Sequence, residues 1–213
     1  MEGNDVNYLA IGDSMSIDKY TGVAGGGAVS QFARRLGAAA VLDLTYDGCT
    51  TGGVLSELEK LPAFAPGAIT LTAGGNDLLE YALGFKRSGA SISAISEDVA
   101  FGAVMSNYHA IAGRLSEFNC IVIVNTIYDP SDGDDDKVEA MGIPRTWRTV
   151  FDKVNDAIRD LASEYNFHLS DLAELFKGHM DSDTDSWTVM QIEPNLAGAT
   201  EIAGEWYRLL SQA

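Results

Sequence analysis

Short apolar runs alternate with helix-patterned segments along the chain, and this alternation limits the possible folds more than any other feature. Between the runs, apolar residues recur at spacings of three and four, most clearly over residues 147–165 and also over 104–115 and 199–210. The apolar runs lie at residues 8–11, 39–42, 68–72, 121–124 and 168–170. Continuous apolar strands that alternate with helices favour a parallel sheet covered on both faces. The pattern predicts an α/β fold, a three-layer α/β/α sandwich of the flavodoxin-like type with a five-stranded parallel sheet.

Length and composition indicate one globular domain spanning residues 1–213. Of the 213 residues, 46% are hydrophobic and 21% are charged, which is ordinary globular usage. No apolar run approaches the ~20 residues that a membrane span needs. Residues 1–10 carry neither a cationic start nor an apolar core of signal-peptide type, so we expect a cytoplasmic protein.

The charge balance restricts the possible partners. With 14 Lys and Arg against 31 Asp and Glu, the net charge is −17, which repels nucleic-acid phosphates and anionic lipid headgroups. We therefore expect a small-molecule partner and no nucleic acid; no feature indicates an oligomeric state. The two cysteines, Cys49 and Cys120, match no zinc spacing and are expected to be reduced thiols. The acidic segment 129–136 lacks the distant Glu of a calcium loop and is expected to be solvated.

Residues suited to acyl chemistry follow the first three strands, where a parallel sheet forms its ligand crevice. Gly-Asp-Ser at residues 12–14 combines a glycine for a tight turn with a serine hydroxyl. Gly48 follows the second strand with an unshielded backbone N–H, and Asn76 follows the third with a neutral side-chain donor. Both donor types stabilise an oxyanion. Each motif alone also fits a turn, a loop or a helix cap, but their placement at consecutive strand ends favours a site.

These blocks resemble those of the SGNH (GDSL-type) hydrolases, a family of serine esterases, lipases and carbohydrate acylesterases on a flavodoxin-like sandwich. The matching motifs are Gly-Asp-Ser at 12–14, Asp-Gly at 47–48 and Gly-Gly-Asn-Asp at 74–77. The resemblance implies that Ser14 is the nucleophile. It also implies an oxyanion hole formed by the backbone N–H groups of Ser14 and Gly48 with the side chain of Asn76, and a reaction that needs no metal or organic cofactor.

The last block of the family, Asp-x-x-His-Pro-Asn, is altered in this chain. Glu193 stands in place of the catalytic His and Met190 in place of its Asp partner, whereas the Pro-Asn at 194–195 aligns. One interpretation is that Glu193 is itself the base. A carboxylate has no tautomer to hold and becomes neutral on accepting a proton, so it needs no anionic helper. An ordinary Glu titrates near ~4.3, so this role requires a pKa raised by burial, for which Met190, Ile192 and Trp187 are the candidates.

Two other interpretations stay open. His179, 14 residues before Glu193, is the histidine best placed to fold back as the base and rebuild a Ser–His–Glu relay. Alternatively, the chain is a catalytically silent ligand-binding protein on the same fold, because a fold alone does not grant activity.

Several further residues are expected at the rim of the crevice. The amide and aromatic side chains among them suit a sugar or a small ester better than a long acyl chain. We therefore expect a serine esterase or acylhydrolase that cleaves a small or carbohydrate-linked carboxylic ester through an acyl-enzyme on Ser14; hydrolysis and acyl transfer are not distinguished. The substrate-binding candidates are Asp13, Tyr20, Asn125, Tyr128 and Trp187.

Overall fold

Five parallel strands form the central sheet. The computed structural model of the chain describes residues 6–88, 97–140, 143, 145–180 and 185–212. The strands follow the order β2-β1-β3-β4-β5, which is the expected flavodoxin-like order, so the predicted fold is confirmed. They are β1 (Asn7–Gly12), β2 (Ala40–Thr45), β3 (Ala68–Thr72), β4 (Ile121–Asn125) and β5 (His168–Ser170).

Helices connect the strands, and a short antiparallel hairpin precedes the last helix. The hairpin consists of β6 (Thr188–Val189) and β7 (Glu193–Pro194), and a 3-10 helix at Ser14–Ser16 follows β1. The α-helices are α1 (Ala28–Leu36), α2 (Thr51–Glu59), α3 (Gly75–Ser88), α4 (Glu97–Leu115), α5 (Asp135–Ala140), α6 (Thr146–Glu164), α7 (Leu172–Leu175) and α8 (Leu196–Leu210). No helix within the described ranges is long and apolar enough to cross a membrane.

The two faces of the sheet bury separate hydrophobic cores. Successive side chains of a strand point to opposite faces, so Leu9 and Ile11 of β1 join one core while Tyr8 and Ala10 join the other. The first core also contains buried residues of α2, α3, α4 and α6. The second contains those of α1, α7 and α8. This arrangement gives the three layers that the alternating sequence pattern predicts.

Strand β2 lies at the sheet edge, pairs with β1 and is partly exposed. The acidic segment is exposed at residues 132–134 and 136, as the sequence predicts, but Asp135 begins α5 and binds Arg148 together with Asp129. Burial opposes ionisation of Asp129, but the ion pair with Arg148 and further hydrogen bonds hold its pKa below the usual range.

Gly12 makes the turn out of β1 possible. Its φ is +140°, and a Cβ at this position would lie 1.8 Å from the backbone oxygen of Thr72 on β3. No side chain fits at that distance, and only glycine adopts this φ without a large cost. The direction in which the chain leaves β1 therefore depends on this glycine.

We expect Gly12→Ala to lower the free energy of unfolding by more than about 3 kcal/mol, because both the clash and the backbone conformation are unfavourable. Gly102→Ala is the matched control. It lies in α4 with open space around it, so the change should stabilise the helix by about 0.5–1 kcal/mol. Urea unfolding of both variants measures the difference; equal effects would contradict the close approach of β1 to β3.

Candidate active site

The end of β1 is fixed by hydrogen bonds to β3. The backbone N–H of Asp13 donates to the carbonyl oxygen of Thr72 at 3.0 Å and to its hydroxyl at 3.1 Å. The Asp13 carboxylate in turn accepts from the backbone N–H of Met15 at 3.3 Å, which caps the 3-10 helix. Ser14, the first residue of that helix, is held at the carboxyl edge of the sheet, where the strand-end motif predicted it.

The hairpin formed by β6 and β7 brings Glu193 to Ser14. Val189 pairs with Glu193 across the hairpin, and Asn195 caps α8 by accepting from the backbone N–H groups of residues 197 and 198. With both ends of β7 held, the Ser14 hydroxyl donates to Oε1 of Glu193 at 3.1 Å. Residues 179 positions apart in sequence thus meet at hydrogen-bond distance.

The Glu193 carboxylate is almost removed from solvent. Its residue is 7% exposed, and Oε2 has no hydrogen-bond partner among the residues that the structure describes. Burial is the main cause that raises the pKa of Glu193 above its usual value; the Ser14 hydrogen bond and Lys19 act in the opposite direction, and Asp47 raises it further. A carboxylate with a raised pKa is a stronger base than an ordinary Glu.

The residues around Glu193 differ in part from those expected. Met190 is 75% exposed and stands in the hairpin turn with φ +52°, so the expectation that it buries Glu193 is wrong. Ile192 lines the same cavity as Glu193, and its carbonyl oxygen accepts a hydrogen bond from the Tyr128 hydroxyl. The aromatic ring and the Ile192 side chain therefore provide apolar surroundings for the carboxylate.

His179 has other contacts. Its ring stacks on Trp187 with 3.8 Å between centroids, and Nδ1 lies 3.0 Å from Oδ2 of Asp185. The hydroxyl of Ser14 donates to Glu193, and His179 is not part of the cavity wall that contains both residues. Of the other histidines, His109 is exposed on α4 and His168 lies in β5.

Asn76 belongs to the same cavity wall as Ser14, whereas Gly48 does not. Asn76, at the start of α3, donates one amide N–H to the carbonyl oxygen of Cys49 at 2.9 Å, which holds the loop containing Gly48 against α3. Asp77 fixes the same region by accepting from the backbone N–H of Thr51 at 2.9 Å and from its hydroxyl at 2.6 Å. A primary amide has two N–H groups, so Asn76 keeps a second donor. Gly48 itself is exposed, with φ +74°.

Two of the five predicted rim residues belong to the wall of the cavity that contains Ser14. Tyr128 and Asp13 line the cavity at Ser14, and burial raises the pKa of Asp13 to about 7. Tyr20 instead donates to Asp47 at 2.8 Å, outside the cavity wall. The expectation that Asn125 lies at the rim is wrong, because this residue is only 2% exposed. Its amide donates to the Leu71 carbonyl oxygen and accepts from the indole N–H of Trp206 in α8.

Trp187 also has a structural position. Its ring packs between His179 and Phe176, and its carbonyl oxygen accepts from the backbone N–H of Asn195 at 2.9 Å. A Cβ on Gly198 would lie 2.4 Å from that oxygen, so the tryptophan backbone packs directly on α8. Trp187 therefore supports the segment before Glu193 and is not part of the cavity wall.

A cavity of about 140 Å³ opens at Ser14 and extends away from the sheet edge. Its polar end holds Asp13, Ser14, Asn76 and Glu193. Beyond them the wall is mainly apolar, which the sequence analysis did not anticipate because these side chains come from several helices. The apolar wall includes Leu78, Leu79, Ala82, Ile127, Val138, Ile143, Trp147 and Phe151.

The amide of Asn125, one reason for expecting a sugar at the rim, lies elsewhere, and the cavity wall is mainly apolar. Among the described residues, no three His, Cys, Asp or Glu side chains group as potential metal ligands.

The structure thus places a serine hydroxyl, hydrogen-bonded to a buried carboxylate, in one cavity wall with an amide side chain at the carboxyl edge of a flavodoxin-like sheet. The family model of the GDSL-like lipases/acylhydrolases matches residues 10–200, and the chain belongs to this family. No curated protein matches the sequence significantly.

Solved structures of the same fold are similar over almost the entire chain. The acetyl xylan esterase AlAXEase has a TM-score of 0.70 at 18% identity and covers 95% of this chain and 98% of its own. The acetylxylan esterase Axe2 from Geobacillus stearothermophilus has a TM-score of 0.70 at 16% identity, with 98% and 95% covered. TesA has a TM-score of 0.66 at 20% identity, with 97% and 98% covered. At these identities the likeness concerns the fold.

We expect Glu193→Gln to raise the unfolding free energy at pH 8. Because burial raises the pKa of Glu193 in the folded protein, its charged form destabilises the fold, and this cost is present above the folded pKa and absent below the unfolded one. The gain should therefore shrink as the pH falls towards 4. Chemical unfolding at several pH values measures it, with Glu201→Gln on the exposed side of α8 as the control. A loss of stability at pH 8 would contradict the described burial.

Proposed function

We propose that this chain is a serine esterase that cleaves a carboxylic ester through an acyl-enzyme on Ser14, with Glu193 as the general base. The observation that carries the proposal is the 3.1 Å hydrogen bond from the Ser14 hydroxyl to the buried Glu193 carboxylate, at the polar end of an apolar cavity. Covalent acyl transfer requires a nucleophile and a base that lie within hydrogen-bond reach of each other.

In the acylation step, Oγ of Ser14 attacks the carbonyl carbon of the ester while its proton passes to Oε1 of Glu193. The carbonyl oxygen becomes an oxyanion, which the second N–H of Asn76 and the backbone N–H groups of Ser14 and Gly48 stabilise. When the tetrahedral intermediate collapses, the bond from carbon to the alcohol oxygen breaks. Glu193 gives its proton to that oxygen, and the alcohol leaves.

Water completes the reaction in the same site. Glu193, again a carboxylate, takes a proton from the water as its oxygen bonds to the acyl carbon. The bond between that carbon and Oγ of Ser14 then breaks, and Glu193 returns the proton to Oγ. The products are the carboxylic acid and the free enzyme, so the base is regenerated in each cycle.

A carboxylate base explains why the last sequence block lacks both usual residues. An imidazole becomes cationic on accepting a proton and benefits from a carboxylate partner, whereas Glu193 becomes neutral. Position 190 is exposed in the hairpin turn, so its side chain gives Glu193 no buried partner. The acetyl xylan esterases among the similar structures add support for an ester substrate.

Substitution of the two central residues tests this proposal on p-nitrophenyl esters. Ser14→Ala should lower kcat by at least about a thousandfold, because the nucleophile is lost. Glu193→Gln should lower kcat by about 10²–10⁴-fold, the usual contribution of a general base. His179→Asn should leave kcat unchanged.

The same assay separates the other interpretations. Loss of turnover in His179→Asn with retention in Glu193→Gln would make the histidine the base. Turnover that survives Ser14→Ala would contradict serine catalysis. No turnover in the wild type would favour a catalytically silent ligand-binding protein.

Asn76→Ala tests the oxyanion role. Removal of one oxyanion donor usually lowers kcat by about 10²–10³-fold, and we expect this decrease with little change in KM. Asn107→Ala is the control, because Asn107 donates to the Thr51 hydroxyl at 2.9 Å and is not part of the cavity wall. Equal kinetic effects of the two variants would contradict the role of Asn76 at the reacting carbonyl.

A further inference from the structure

We propose that the apolar cavity beside Ser14 is an acyl pocket that selects a straight, uncharged acyl chain of about six carbons. The inference rests on the proposed function, since it assigns the two sides of an ester to the two sides of Ser14. It differs from what the names of the similar acetyl esterases suggest, because a two-carbon acyl group would leave most of this cavity unfilled.

The positions of the charged groups decide which side of the ester enters the cavity. Glu193 protonates the departing alcohol, so the alcohol must lie near the carboxylate and have a path to solvent. Lys19 and Asp47 form an exposed ion pair that is not part of the cavity wall, and both contribute to the pKa of Glu193, so a polar, open side lies outside the cavity towards the base. The acyl chain then occupies the other direction, the cavity between α3 and α6.

The volume of the cavity limits the length of the acyl chain. An apolar protein cavity of about 150 Å³ accommodates benzene, a molecule of six carbons. The cavity here has a similar volume, about 140 Å³, and apolar side chains from α3, α5 and α6 form most of its wall. Filling such a wall with methylene groups is favourable by burial of apolar area.

The residues of the cavity wall also explain why the acyl chain should be uncharged. Asp129 and Arg148 are charged residues of the cavity wall, and they bind each other at 2.7 Å, with Asp135 as a second partner of the arginine. Because these charges are already paired, neither residue provides a partner for a charged group at the end of the acyl chain. Phe151 lines both this cavity and a polar groove that contains Asp152 and Asp156, as do Asp129 and Arg148, so these three residues lie between the two spaces.

A series of p-nitrophenyl esters from acetate to decanoate tests the pocket with the alcohol held constant. One buried methylene corresponds to about a fourfold change in kcat/KM, so hexanoate should exceed acetate by on the order of a hundredfold. The kcat/KM for the decanoate ester should fall below that for the hexanoate ester, because the cavity has no space for the last carbons of the longer chain.

Phe151→Ala tests the closed end. The change should open the cavity towards the polar groove and move the optimum to octanoate or decanoate. Phe101→Ala is the matched control, because Phe101 packs partly buried against the same hydrophobic core but is not part of the cavity wall. The control should keep the preference for hexanoate even if its stability falls.

Calorimetric binding of hexanamide and acetamide to Ser14→Ala tests the pocket without chemistry. We expect hexanamide to bind at least tenfold more tightly. Turnover that depends on Ser14 with acetate as the best ester would overturn the acyl pocket and leave the serine mechanism intact. Preferential hexanamide binding without any Ser14-dependent turnover would support the pocket and overturn the proposed function.

Discussion

The arrangement of the site depends on one buried carboxylate. Glu193 is largely withdrawn from water, and the partner that it has in the structure is the hydroxyl of Ser14. Removing a carboxylate from water is costly, so its burial is a cost to the fold that hydrogen bonds only partly offset. The same burial raises its pKa and makes it a better acceptor for the serine proton. Stability and basicity at this position therefore change in opposite directions.

The surrounding structure holds this carboxylate in place from two directions. On one side, Gly12 permits the close contact of β1 and β3, and the Thr72 oxygens fix the backbone that leads to Ser14. On the other side, the Tyr128 hydroxyl binds the carbonyl oxygen of Ile192 next to Glu193. Both supports come from residues outside the proposed reacting pair. Preorganisation of this kind lets two groups from distant parts of the chain meet at hydrogen-bond distance.

The sequence predicts the parts of this site that depend on local order along the chain. Strand ends of a parallel sheet share one edge, and for this reason Ser14 and Asn76 could be placed together before any coordinates. Glu193 could be proposed because it aligns with the catalytic His in the last sequence block of the family. The apolar cavity could not be anticipated, since its wall combines α3, α5 and α6, whose packing no local pattern specifies. Asn125 was misplaced because a polar residue at a strand end can also complete hydrogen bonds inside the core.

The proposed mechanism requires that the proton of Ser14 passes to a carboxyl group whose pKa is raised by burial. Carbon NMR of the labelled Glu193 carboxyl, followed through a pH titration alongside kcat/KM, tests it most directly. We expect both curves to share one midpoint above the usual pKa of Glu, with activity lost as the pH falls through it. A carboxyl that titrates at its ordinary value, or an acidic limb of the rate that persists in Glu193→Gln, would contradict it.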